Sequence, residues 1–102
     1  MTAEEVLAKA ARIVEAGWYQ GGYVSPDGTK VCAMGAIRVA AGERISELNS
    51  YRPSKVADPA IVALSYEVDD VRGIGMWNDT PGRTAEEVAT TLRNAKRHLH
   101  GA

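Results

Sequence analysis

The sequence has few of the residues on which disulfide-linked or metal-binding proteins depend. Its 102 residues include one cysteine, two histidines and no phenylalanine. A single cysteine excludes an intramolecular disulfide and is typical of a reducing compartment. No histidine or cysteine lies at metal-ligand spacing around the polar pair Asn78-Asp79, so we expect neither a metal nor a cofactor.

The charges of the chain are nearly balanced, with 12 basic and 13 acidic side chains and a formal net charge of −1. Nucleic-acid binders usually carry a basic patch and a basic overall charge, so we expect no nucleic-acid partner. The N-terminus is acidic and amphipathic and lacks the pattern of a signal peptide. No apolar run reaches the roughly 18 residues that span a bilayer. We therefore expect a cytoplasmic protein that does not associate with membranes.

The longest apolar run extends from Val31 to Ala41 and contains one charged residue, Arg38. A helix that is apolar on nearly every side is typically buried, because none of its faces would be well solvated. Gly42 is placed to adopt the left-handed conformation that often ends a helix. The run therefore predicts a buried central helix, and the chain length predicts a single domain over residues 1–102.

Two capping boxes predict where the first and last helices begin. Thr2-Ala3-Glu4-Glu5 and Thr84-Ala85-Glu86-Glu87 both have a threonine followed three residues later by a glutamate. The first predicts a helix over about residues 3–16, which Gly17 ends. The second predicts a last helix that ends at Gly101 and buries one apolar face, made of Val88, Leu92, Ala95 and Leu99.

The segments between these helices are less regular. Residues 25–28 predict a tight turn. The residues on either side of it could form a short hairpin or a tight loop, and we favour the loop. One helical turn is expected near residues 44–49. Asp58-Pro59 has the pattern of an N-cap followed by proline, while residues 61–70 fit a helix or a strand, with the helix favoured. Residues 73–83 are rich in turn formers and predict a loop. The pattern as a whole predicts a mainly all-α domain of about four helices.

Cys32 is the residue that we consider as a candidate nucleophile. It lies near the start of the central helix, where the helix dipole would lower the pKa of its thiol. With His98 or His100 it would form a distant Cys-His pair of the kind found in some hydrolases. However, a free cysteine is more often a small buried apolar group, and both histidines lie near the end of the chain, where chains often fray. We favour a core cysteine and keep a cysteine-dependent hydrolase or transferase as the alternative.

A second group of candidate residues follows Trp77. Asn78 and Asp79 could bind a ligand, but such side chains more often cap nearby backbone amides, and we favour that local role. Arg83 could bind an anion at the start of the last helix. The glutamates of that first turn already compensate the helix dipole, so an exposed structural arginine is the favoured interpretation.

Three blocks of the sequence resemble a family of small, functionally uncharacterised proteins of actinobacteria and their phages. The blocks are Gly17-Trp18-Tyr19-Gln20-Gly21, Cys32-Ala33-Met34-Gly35-Ala36-Ile37 and Trp77-Asn78-Asp79-Thr80-Pro81-Gly82-Arg83-Thr84. The family pattern is Gly-Trp-x-Gln-Gly, Cys-x-x-Gly-Ala-Ile and Trp-Asn-Asp-x-Pro-Gly-Arg-Thr. The resemblance covers most of the chain and implies origin and architecture, without an activity. It also implies that the shared residues converge on one locus, either a core nucleus or a recognition site.

The favoured function is a non-enzymatic module that binds a protein partner, as a phage protein acting on its host would. We expect the contact surface to include Met76 and Trp77, because clustered exposed apolar side chains mark interfaces. A monomer is favoured over a dimer, because enclosing the central helix within one chain is the simpler solution. The residues of the expected binding locus are Trp18, Met76, Trp77, Asn78, Asp79 and Arg83.

Overall fold

The computed structural model describes residues 1–49 and 52–99, and these form an all-α domain. Its five α-helices are α1 (Ala3–Ala16), α2 (Ala33–Ala40), α3 (Asp58–Val68), α4 (Ile74–Asn78) and α5 (Ala85–Asn94). Two 3-10 turns, Ile45–Glu47 and Ala95–His98, follow α2 and α5. The predicted end of the last helix at Gly101, and the candidate His100, lie outside the described residues.

The predicted first and central helices are confirmed. Thr2 and Glu5 form the reciprocal capping box at the start of α1. The central helix α2 begins after Cys32, and Gly42 adopts φ +100° just beyond its end. Six of the eight residues of α2 are buried, because α1, α3 and α4 pack around it.

The core is built almost entirely from aliphatic side chains, as the absence of phenylalanine requires. Helix α1 packs mainly against α2 and α5, and the 3-10 turn after α5 packs on α3. The largest apolar side chains with almost no exposed surface are Leu7, Ile37, Leu48, Leu64, Leu92, Val6, Val14 and Val88. Leu99 of the predicted apolar face is half-buried and packs against this core.

The buried charge on α2 organises the chain that follows the helix. Arg38 is 1% exposed and donates hydrogen bonds to Glu43 and to the carbonyl of Leu48. Glu43 in turn accepts a hydrogen bond from the amide of Ser54. The ion pair therefore holds both ends of the segment between α2 and α3.

The structure corrects two local predictions and agrees with the favoured loop around residues 25–28. The helix over residues 61–70 is confirmed in type, but it begins at Asp58, so Ala57 occupies the N-cap position predicted for Asp58. The predicted loop over residues 73–83 contains the short helix α4. The alternative hairpin is absent from the described residues, where Val31 forms only isolated bridges to Trp18 and Val24.

No helix within the described ranges has the length and apolar character needed to cross a membrane.

Candidate functional site

Asn78 forms a buried junction between three segments that are distant in the sequence. Its Oδ1 accepts hydrogen bonds from Nε1 of Trp18 at 2.7 Å and from the amide of Ala33 at 3.0 Å. Its Nδ2 donates to the carbonyl of Tyr19 at 3.1 Å and to Oδ1 of Asp79 at 3.0 Å. The side chain thus uses two donors and two acceptor positions, which is the full capacity of an amide.

A second set of hydrogen bonds reinforces the Asn78 junction from the segment after α1. Nε2 of Gln20 donates to the carbonyl of Asn78 at 3.0 Å and to that of Thr80 at 3.1 Å. The amide of Gly21 donates to Oδ1 of Asp79 at 3.0 Å. Sequence reasoning assigned Gln20 and Gly21 no role here, and their place in the Gly-Trp-x-Gln-Gly block was the one available signal.

The predicted local capping role of Asn78 is wrong, although the prediction of a structural role in hydrogen bonding is supported. Asn78 accepts a hydrogen bond from the amide of Ala33 in α2, and the neighbouring Asp79 accepts one from the amide of Gly21 after α1. Neither of these amides lies at the start of α5. Ala33 is the first residue of α2, and Sγ of Cys32 accepts a hydrogen bond from the amide of Gly35 at 3.3 Å. Asn78 and Cys32 together therefore satisfy two of the free amides at the start of α2.

An open cleft of about 240 Å³ lies beside the Asn78 junction. We call it the Cys32 cleft. Most of its surface is apolar, and one acidic residue, Asp79, is among the described residues that line it. The hydroxyl of Tyr23 donates to Sδ of Met34 at 3.6 Å across its wall. The lining residues are Gly22, Tyr23, Cys32, Met34, Gly75, Asn78 and Asp79.

The predicted activation of Cys32 by the helix dipole is wrong. Burial raises the pKa of its thiol above the ordinary value of 9.0, and this outweighs the hydrogen bonds from the amides of Gly35 and Met34, which lower the pKa. The predicted core position is confirmed, since Cys32 is only 7% exposed. His98 contacts Glu67 on α3 at 2.9 Å, and the described residues that line the Cys32 cleft include no histidine.

The structure separates the two residues predicted to form an exposed apolar patch. Trp77 is 7% exposed and belongs to the core, whereas Met76 is 51% exposed. The prediction of an exposed Trp77 is therefore wrong, because α4 turns its indole inward. The predicted exposed position of Arg83 is also wrong. Arg83 is half-buried, its guanidinium lies 4.5 Å from the centre of the Trp77 ring, and its Nε donates to the Trp77 carbonyl.

The residues named for the binding locus thus differ in burial: Trp77 and Asn78 are buried, Trp18 and Arg83 are half-buried, and Met76 and Asp79 are exposed. Hydrogen bonds join Trp18, Asn78 and Asp79 directly. Nε of Arg83 donates a hydrogen bond to the carbonyl of Trp77 near the end of α4. The side chain of Met76 lies at the surface. Among residues 1–49 and 52–99, no group of three or more histidine, cysteine or acidic side chains is placed to hold a metal ion.

Comparison with known proteins identifies a family without an assigned activity. No curated protein and no solved structure matches the chain. The model of a family of unknown function, DUF6197, matches residues 1–98, almost the whole length. The chain therefore belongs to the DUF6197 family.

Proposed function

We propose that the chain is a small non-enzymatic protein-binding module whose contact surface is the Cys32 cleft together with Met76. One observation carries this proposal: a fully hydrogen-bonded junction holds an open, mostly apolar cleft in place. Every polar group of the Asn78 side chain is used inside the protein. That arrangement suits a rigid binding surface, since pre-organised surfaces lose less entropy when they bind.

Met76 supplies an exposed apolar side chain next to a residue that lines the cleft. Met76 directly follows Gly75, which lines the cleft, and about half of its side chain is exposed. Methionine adapts to partners of different shape and is enriched at interfaces. An exposed methionine beside an apolar cleft therefore supports contact with a protein surface.

The surroundings of Cys32 favour binding over the alternative of a cysteine-dependent hydrolase or transferase. Such an enzyme needs a thiolate and a base within hydrogen-bond reach. Burial instead raises the pKa of the Cys32 thiol, and His98 lies against Glu67. Sγ of Cys32 already accepts a hydrogen bond from the amide of Gly35 and so caps the start of α2. This is a structural role.

The proposed setting of this module is the cytoplasm of an actinobacterium, with a phage protein acting on its host as the favoured origin. The three sequence blocks that resemble proteins of actinobacteria and their phages support this setting. The partner is accordingly sought in an actinobacterial lysate.

Site-specific photocrosslinking tests the proposed surface. A benzophenone side chain replaces Met76 in one variant and Val71 in a control variant, because Val71 is the most exposed apolar residue described outside the cleft. We expect a discrete crosslinked protein from position 76 and none of the same mass from position 71. An excess of unlabelled wild type should remove the crosslink, whereas an excess of the Met76→Asp variant should not.

Both positions lie on the surface, so thermal unfolding followed by circular dichroism should show that all three variants keep their fold. Identical crosslinks from positions 71 and 76 would contradict the proposal. Competition by Met76→Asp that equals competition by wild type would do the same.

A further inference from the structure

We propose that the Cys32 cleft receives a lysine side chain of the partner, with the ammonium group paired to Asp79. This inference rests on the proposed protein-binding function and adds the chemistry of the group that is recognised. Three observations carry it: the charge of Asp79, the use of its two oxygens and the apolar lining of the cleft.

The carboxylate of Asp79 is available to a cation from outside the chain. Asp79 is exposed and lines the cleft. Within the described ranges, ion pairs engage acidic residues elsewhere, among them Glu43 and Asp70, and none engages Asp79. None of the described residues that line the cleft has a basic side chain. Within that described lining, the negative charge of Asp79 is therefore not compensated by a cation.

The two oxygens of Asp79 are used unequally, and this selects the kind of cation. Oδ1 accepts hydrogen bonds from the amide of Gly21 and from Nδ2 of Asn78, both at 3.0 Å. Oδ2 accepts no hydrogen bond from the described residues. A bidentate arginine needs both oxygens of a carboxylate, whereas the compact ammonium of lysine needs one. The free Oδ2 therefore favours lysine.

The apolar walls suit the stem of a lysine side chain. Lysine buries its methylene groups along apolar surface while its ammonium stays close to water. Tyr23 and Met34 supply such a surface. A Cβ atom built on Gly75 would meet no atom within 4 Å, so this glycine leaves the space beside it open.

Titration of the protein with capped tripeptides tests this assignment. The central residue is lysine, norleucine, Nε-acetyl-lysine or arginine, and amide chemical shifts of Gly22 and Gly75 report occupancy of the cleft. We expect the lysine peptide to bind with a Kd on the order of 1 mM. The norleucine and acetyl-lysine peptides, which keep the stem but lack the charge, should bind about threefold or more weakly. Binding of the lysine peptide should also weaken in high salt.

The Asp79→Asn variant tests the role of the carboxylate. Asparagine keeps an Oδ1 acceptor for Gly21 and Asn78 but removes the charge, so the junction should survive. We expect this variant to bind the lysine and norleucine peptides equally. The control, Asp69→Asn, makes the same charge change outside the cleft, at a residue with φ +49° that asparagine also tolerates. It should bind the lysine peptide as the wild type does.

Equal binding of lysine and norleucine by the wild-type protein would overturn the assignment, and so would tighter binding of arginine. An absence of shifts at Gly22 and Gly75 with every peptide would overturn it as well. The wild-type comparison decides the question even if Asp79→Asn fails to fold. A crosslink that depends on Met76, without a preference for lysine, would reject the lysine pocket and leave the protein-binding proposal standing.

Discussion

The indole Nε1 of Trp18 donates a 2.7 Å hydrogen bond to Oδ1 of Asn78, a residue sixty positions later in the sequence. The same oxygen also accepts a hydrogen bond from the amide of Ala33. One buried atom therefore connects the segment after α1, the start of α2 and the end of α4. The Cys32 cleft lies beside this connection, so its shape depends on these two hydrogen bonds.

Replacement of Asn78 by leucine should destabilise the fold strongly. The change leaves the indole of Trp18, the amide of Ala33 and the carbonyl of Tyr19 without their partner. A buried polar group without a partner costs about 1–3 kcal/mol. We expect the free energy of unfolding to fall by about 3 kcal/mol or more, as measured by urea titration. The control Asn94→Leu, at an exposed site on α5, should change it by less than about 0.5 kcal/mol. Equal losses in the two variants would disprove the structural role of Asn78.

Replacement of Gly35 by alanine should destabilise the protein by overpacking. A Cβ atom there would lie 2.8 Å from the carbonyl oxygen of Tyr23 and 3.2 Å from Cβ of Val31. We expect a loss of about 1–3 kcal/mol, even though alanine favours helices. The matched control is Gly75→Ala in α4, where an added Cβ would meet no atom within 4 Å outside the adjoining chain. It should stabilise the protein by about 0.5–1 kcal/mol.

Thermal unfolding at several protein concentrations measures both glycine variants and tests the predicted monomer. A concentration-independent loss for Gly35→Ala would agree with enclosure of α2 within one chain. A loss that appears only where the wild type is dimeric would place Gly35 at an interface between subunits instead.

The ion pair between Arg38 and Glu43 should contribute a pH-dependent part of the stability. The hydrogen bonds from Arg38 lower the pKa of Glu43 below its ordinary value of 4.5. A carboxylate whose pKa is lowered by folding stabilises the fold above its unfolded pKa, and this contribution is lost as the pH falls through the folded value. We expect Glu43→Gln to lose less stability than the wild type below pH 4.5 in urea titrations. In the exposed control Glu86→Gln, the free energy of unfolding should change with pH as it does in the wild type. The same pH dependence in Glu43→Gln would contradict the prediction.

The thiol of Cys32 should react slowly with alkylating reagents in the folded protein. Its pKa is raised by burial, so the thiolate that attacks the reagent is scarce at neutral pH. We expect iodoacetamide to modify the native protein more slowly at pH 7 than the same chain in urea, as followed by mass spectrometry. The rate in the native protein should rise only in strongly alkaline solution. A faster reaction in the native state would contradict this prediction and would favour the alternative of a cysteine-dependent enzyme.

Local signals in the sequence predicted the helices that carry their own start and stop information. Thr2 and Glu5 lie three residues apart and satisfy each other's backbone amides whatever else the chain does. The apolar run that contains α2 likewise predicts a buried helix, because no face of such a helix would be well solvated. Helix α4 was missed because five residues with a glycine at the second position are too few to show helical periodicity. Its apolar residues Ile74 and Trp77 became helical by packing into the core.

The fold class, the first helix and the buried position of Cys32 could be predicted from the sequence, because each depends on composition or on neighbours a few residues away. Three other properties follow from tertiary contacts: the amides that Asn78 bonds, the burial of Trp77 beside an exposed Met76, and the raised pKa of Cys32. The contacts of Asn78, for example, join segments 45 and 60 residues apart. The partner of a polar side chain and the loss of water around a thiol are set by what the fold brings beside them, and sequence spacing does not encode that.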